Sequence, residues 1–182
     1  MDYKIEDINL QAKLEELNLI LPSTLTFFPE NIEEVKRKED FVFTDSMLDL
    51  NKIFRKENLD ITVLGNDTEL YRTRKNADIY LPAIFFSLSL LTENPSIVSI
   101  SLNVLSNYIY DLCKGSFGKK TAKVEFYIET EEEGKIKRIS YSGDSEGLKD
   151  LPKIIKAMKQ KLLTDIELDV HELKLLMNTF SK

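Results

Sequence analysis

Between residues 79 and 110 the chain carries one charged side chain, Glu93, although 31% of its 182 residues are charged. A run so poor in charge has to lie in the interior. Asn94-Pro95 divides it, because proline lacks an amide donor and pushes the residue before it out of the helical region. The first part, with Pro82 at N1, holds Ala83, Ile84, Phe85, Phe86, Leu88, Leu90 and Leu91 and is apolar on nearly every side, which predicts a buried helix over 82–92. The second, with Ser96 as N-cap, repeats Ile97, Ile100, Val104, Leu105, Tyr108, Ile109 and Leu112 at helical spacing, which predicts a helix over 96–114 stopped by Gly115. A bilayer span needs about 20 consecutive apolar residues. The first part is too short and the second is broken by Ser99, Ser101, Asn103, Ser106 and Asn107, so a core pair is expected and no membrane.

The rest of the chain reads as short elements around that pair. Leu10, Leu14 and Leu17 predict a helix over 5–20, ended by Pro22, with Ile5 and Ile8 off the stripe. Residues 24–28 are rich in β-formers and stop at Pro29, like an edge strand. Phe41-Val42-Phe43 is a further β candidate. Thr44 or Asp45 then caps a helix holding Met47, Leu48, Leu50, Ile53 and Phe54, and 60–65 reads as a strand that turns at Gly65. The strongest β signal is at 122–130, where Ala122, Val124, Phe126 and Ile128 alternate with Lys123, Glu125, Tyr127 and Glu129. A turn at 131–134 returns the chain with Ile139 and Tyr141 inward, making an antiparallel hairpin. After Gly143, Leu148, Leu151, Ile155, Met158 and Leu162 fall on a helical stripe, and Asp169 with Glu172 form a capping box for a helix over 169–180. The expected fold is α+β: one domain over 1–182, with an N-terminal part at 1–75 and a core at 76–182. In that core a small antiparallel or mixed sheet packs on the helical pair (82–92, 96–114) and on an amphipathic helix at about 146–163.

Two motifs bear on chemistry. Residues 143–147, GDSEG, match G-x-S-x-G between a strand and a helix, and Asp165 and His171 follow Ser145 in the order of a serine hydrolase. Against that reading, His171 is the only histidine, the preceding strand belongs to a half-polar hairpin, and no glycine-rich oxyanion loop is present. The same turn, with Asp144 or Ser145 capping free amides, is otherwise a helix start or a modest anion site. Asp45 and Asp49 stand one helical turn apart, as an ion-sharing pair or as a cap and a solvated side chain. One histidine and one cysteine, Cys113, cannot build a zinc site, so neither metal nor cofactor is expected. Cys113 has no internal disulfide partner, and the acidic N-terminus lacks a signal peptide's basic start and apolar run, so a reducing cytoplasm is expected.

A net charge of −6 argues against a dedicated nucleic-acid binder, but charge is unevenly placed. Glu129 and Glu131 make one end of the hairpin acidic, while Lys149, Lys153 and Lys156 make the next helix basic. With Tyr127 between them, these form the expected docking surface for a protein partner or a second copy of the chain. Residues 122–162, a hairpin ending in SYSGD and running into EGLKDL and a helix, resemble the end of small α+β accessory modules associated with effectors in bacterial conflict and anti-phage systems. That resemblance implies a regulatory or recruiting role without catalysis. The functional expectation is a non-enzymatic interaction or regulatory protein. The alternatives are a small-ligand sensor with its pocket between the helical pair and the sheet, and a hydrolase built on Ser145.

Overall fold

The computed structural model of the protein describes residues 2–65, 70–73, 78–114, 121–130 and 135–144, together with Gly147 and Lys153. Along the chain run β1 (Asp2–Ile8), α1 (Leu10–Glu16), β2 (Thr26–Phe28), β3 (Phe43–Thr44), α2 (Ser46–Lys56) and β4 (Thr62–Val63). There follow β5 (Tyr71–Arg72), β6 (Ile79–Tyr80), β7 (Ala83–Phe86), α3 (Leu88–Glu93), α4 (Pro95–Cys113), β8 (Ala122–Glu129) and β9 (Ile136–Gly143). Seven strands form one mixed sheet in the order β1-β9-β8-β7-β2-β4, with β6 also paired to β8, while β3 and β5 make a separate parallel pair. The architecture is α+β. Strands from the first 75 residues flank strands from the rest in one sheet.

The hairpin β8–β9 forms as its alternation predicts, with Phe126 opposite Ile139 and Val124 opposite Tyr141. The expected helix over 82–92 does not. Ala83 to Phe86 is instead a strand running parallel to β8, all four residues are buried, and helix covers only Leu88–Glu93. A strand in mid-sheet is apolar on both faces, so it carries no period that separates it from a buried helix. Ser87, in an extended conformation, caps α3 by accepting from the Leu90 amide at 3.2 Å. Pro95 occupies the first turn of α4, so Asn94 stands at the N-cap position expected of Ser96.

Two N-terminal expectations also change. Residues 2–8 form β1, antiparallel to β9, and α1 begins only after Asn9, whose side chain accepts from the Ala12 amide at 3.2 Å. The off-stripe Ile5 belongs to a strand's alternation, with Tyr3 and Ile5 on one face and Lys4 and Glu6 on the other. The strand β2 is not an edge; it lies between β7 and β4. Asp45 caps α2 as read, accepting from the Ser46 amide at 2.9 Å. Gly65 ends β4's segment at φ +83°, where a Cβ would sit 2.9 Å from Phe41 Cε2. The helices expected at about 146–163 and at 169–180 lie outside the described residues, apart from helical Gly147 and Lys153.

Consecutive residues of a strand face opposite sides of its sheet, which assigns the aromatic side chains. On one side Phe27 meets Phe54 of α2 edge-on at 5.8 Å, and Phe86 lies 6.1 Å from Phe126. This is the helical side, since α4 packs against α2 and α3. On the other side Phe28 stacks on Phe85 at 5.1 Å and touches Tyr127 at 5.5 Å. Phe85 joins β2 to β8 from within this cluster and is fully buried. Phe85→Ala is therefore expected to cost about 3–5 kcal/mol, read as a lower urea midpoint with an unchanged m-value.

Candidate functional site

Pro82 shapes the site by breaking a ladder. Ile79 pairs with Ala122 and Tyr80 with Lys123, yet Ile84 pairs with Phe126, so one extra residue is accommodated between β6 and β7. Proline has no amide to donate and the strand bulges there. The bulge puts Tyr80 and Ala83, three residues apart, on the same side, the side opposite Phe54. Beside it lies a cavity of about 390 Å³, with Tyr80, Leu81 and Ala83 along one wall and Lys4, Glu125 and Ser140 along another. Glu30, from the segment between β2 and β3, also lines it. That segment is tied at its base by Asn31, which donates to the Asp40 carbonyl and accepts from the Val42 amide, both at 2.9 Å.

The sheet face under this segment passes from aromatic to ionic across β8. Tyr127 stands opposite Arg138, and Glu125 opposite Ser140. Arg138 Nη2 donates to Glu6 Oε2 at 2.5 Å and Nη1 to Glu33 Oε1 at 2.5 Å, so one guanidinium joins β1 to the segment above the sheet. The single proton of the Tyr127 hydroxyl is shared between Glu33 at 3.2 Å and Glu125 at 3.3 Å. Lys4 pairs with Glu6 at 2.7 Å, Lys123 with Asp78 at 2.8 Å, and Arg72 with Glu30 at 2.8 Å. Glu125 is the exception: among the described residues no cation lies within ion-pairing distance of it.

These environments set the protonation states. Burial pushes the Glu125 carboxyl above its ordinary range, against the opposing pull of Arg138 and the Tyr127 hydrogen bond. Glu6 moves the other way, held low by hydrogen bonds from Lys4 and Arg138. Burial raises Tyr127, and the charges of Glu125 and Glu33 add to this, so it stays a phenol. Burial would lower Arg138, but its bond to Glu6 and the charges of Glu33 and Glu125 outweigh that and raise it. Hydrogen bonds to Asp78 and Tyr80 keep Lys123 an ammonium.

The residues expected to carry function are placed differently. Tyr127, expected on a docking surface, is only 1% exposed, because Phe28, Phe85 and Glu33 cover the polar side of its strand. Glu129 accepts from the Leu88 amide at 2.7 Å and so holds the start of α3. Lys153 is exposed. Glu131, Lys149 and Lys156 lie outside the described residues, as do Ser145, Asp165 and His171 of the hydrolase reading. In the turn itself Asp144 Oδ1 accepts from the Gly147 amide at 3.0 Å, and the Tyr3 hydroxyl donates to the Gly147 carbonyl at 2.5 Å. An anion there would meet an amide already bonded to a carboxylate.

The Asp45 carboxylate is taken up by its cap, and Asp49 lies 3.3 Å from Lys52. Among the described residues no group of three or more His, Cys, Asp or Glu could hold a metal ion, and no helix is long and apolar enough to cross a membrane. The cavity described above lies on the face of the sheet opposite the one where a pocket was expected, between the helices and the sheet. The alternation along 122–130 puts Lys123 and Glu125 on the face expected to be wet. Alternation gives the face of a residue but not what covers it. No family model, curated protein or solved structure matches the chain.

Two outcomes follow from the ion network. Arg138→Met leaves Glu33 without its cation and Glu6 with Lys4 alone, and is expected to lose about 3 kcal/mol. Arg138→Lys should recover only part of this in urea unfolding, since an ammonium lacks the fork that reaches both carboxylates. For Glu125 the sign is opposite. A folded-state value raised above 4.5 means the native state binds the proton more tightly, so stability falls as pH rises from 4.5 through the raised value. Glu125→Gln should therefore raise Tm near pH 7, by at most about 2–4 °C for a gain of about 1 kcal/mol. The gain should vanish below pH 4.5, where Glu125 is protonated whether folded or not.

Proposed function

We propose that the protein is a regulatory protein that acts by binding, and that the cavity beside the 81–82 bulge holds a small ligand. The cavity carries this reading: its volume of about 390 Å³ falls in the range of roughly 300–1,000 Å³ typical of small-ligand sites. Its walls combine the apolar surface of Leu81 and Ala83 with a few placed polar groups, as such sites do. Lys123 is held as an ammonium by Asp78 and so serves recognition better than proton abstraction. The docking surface expected for a protein partner has meanwhile lost Tyr127 to the interior and Glu129 to the start of α3.

Regulation has a route here. Glu30 and Glu33 both belong to the segment whose base Asn31 closes, one lining the cavity and the other bonded to Arg138. A ligand touching both the sheet and this segment would bind one placement of the segment better than others and so shift its population. A protein partner would then read the segment's outer surface. The resemblance of 122–162 to effector-associated accessory modules points in the same regulatory direction, and a reducing cytoplasm suits a chain whose one thiol is Cys113.

A thermal-shift screen of nucleotides and metabolites tests the proposal, run in parallel on Ser140→Phe, which fills the cavity from β9. A ligand at a hundred times its Kd adds about 2.7 kcal/mol, or several degrees in Tm. The expected result is hits on the wild type that Ser140→Phe loses while remaining folded. Hits that stabilise both proteins equally, or none at all, would contradict it.

A further inference from the structure

Within that cavity the charges do not balance, and the imbalance has a sign. Among the described residues, Lys4 and Lys123, which line it, and the nearby Arg72 and Arg138 each already face a carboxylate at 2.5–2.8 Å. Arg138 is turned to Glu6 and Glu33 and makes no ion pair with Glu125. The one hydrogen bond to Glu125 among the described residues comes from the Tyr127 phenol at 3.3 Å, a neutral donor, and Arg138 acts on its charge only from beyond ion-pairing distance. A half-buried carboxylate in that position is stabilised by a cation brought from outside. We propose that the ligand of this cavity is an amine with an apolar body, its ammonium group seated against Glu125. This rests on the cavity being the binding site.

The neighbouring groups favour the same class. An ammonium, that of Lys123, already lies 5.2 Å from the centre of the Tyr80 ring, so this ring contributes to a surface that accepts positive charge. Ser140 stands opposite Glu125 across the β8–β9 ladder, and its hydroxyl can accept a second hydrogen bond from an ammonium. Leu81, Ala83 and the Tyr80 ring offer apolar surface for the body of the molecule. An anionic ligand meets the reverse situation. To gain a cation it must draw Lys4 from Glu6 or Lys123 from Asp78, and it must approach Glu125 at the same time. Charge-assisted bonds are the stronger ones, so exchanging one for another yields little while the repulsion remains.

Isothermal titration with three probes of similar size and different charge decides the matter: 2-phenylethylammonium, 3-phenylpropanol and 3-phenylpropionate. The ammonium is expected to bind the wild type at least about tenfold more tightly than the alcohol, and the carboxylate least. Glu125→Gln should abolish that preference with its fold intact, Glu125→Asp should keep part of it, and Ser140→Phe should remove binding of all three. Equal binding of ammonium and alcohol, or a preference that survives Glu125→Gln, would overturn the amine proposal. If Ser140→Phe still removed binding in that case, the cavity reading would stand. Failure of all three probes to bind would also overturn the amine proposal, leaving the cavity reading to be judged by the metabolite screen.

Discussion

Arg138 gives its terminal nitrogens to Glu6 on β1 and to Glu33 in the segment between β2 and β3, and the arrangement of the polar half of the sheet follows from that division. A guanidinium can do this because its donors are fixed in a planar fork, each direction meeting a different carboxylate. One side chain, itself mostly covered at 23% exposure, thereby bonds both the edge strand and the overlying segment to the hairpin, adding to the β1–β9 ladder and the Tyr127–Glu33 bond. Tyr127 is enclosed beneath the same contact. Glu125, next along β8 on that face, has no cation within ion-pairing distance among the described residues, and the cavity opens beside it.

The cavity exists because two halves of one sheet face obey different rules. Toward β2 and β7 the face is closed by Phe28, Phe85 and Tyr127, packed ring against ring. Toward β1 and β9 it carries charge, which cannot be packed as densely without partners. Between the halves Pro82 interrupts the pairing with β8, and the extra residue turns Tyr80 and Ala83 to the same side. Apolar wall and ionic wall meet at that interruption. Under the proposed function, a cavity that offers both an apolar surface and a carboxylate with no cation in ion-pairing range among the described residues would select by charge and by size together.

How much of this was legible in the sequence depended on whether a residue's period also fixed its surroundings. The β8–β9 hairpin was readable because Ala122, Val124, Phe126 and Ile128 alternate cleanly. The helix α2 was readable because Asp45 caps a stripe of Met47, Leu50 and Phe54. The segment 82–92 was misread as helix because Ala83, Ile84, Phe85 and Phe86 are buried on both faces of a central strand and show no alternation. The start of the chain was misread because the stripe of Leu10, Leu14 and Leu17 was extended backward over residues whose own pattern was a strand's. The site was least visible of all. Tyr127 and Glu125 sit at positions that strand periodicity calls wet, and only the folding of residues 30–42 over them makes one a core residue and the other a cavity carboxylate.

The account turns on which carboxylate goes without a cation, and carbon-13 NMR of the glutamate carboxyl groups through a pH titration reads this directly. With Arg138 divided between Glu6 and Glu33, Glu6 is predicted to titrate below 4.5 and Glu125 above it. A Glu125 carboxyl titrating at or below 4.5 would mean that a cation already neutralises it, and would contradict the account.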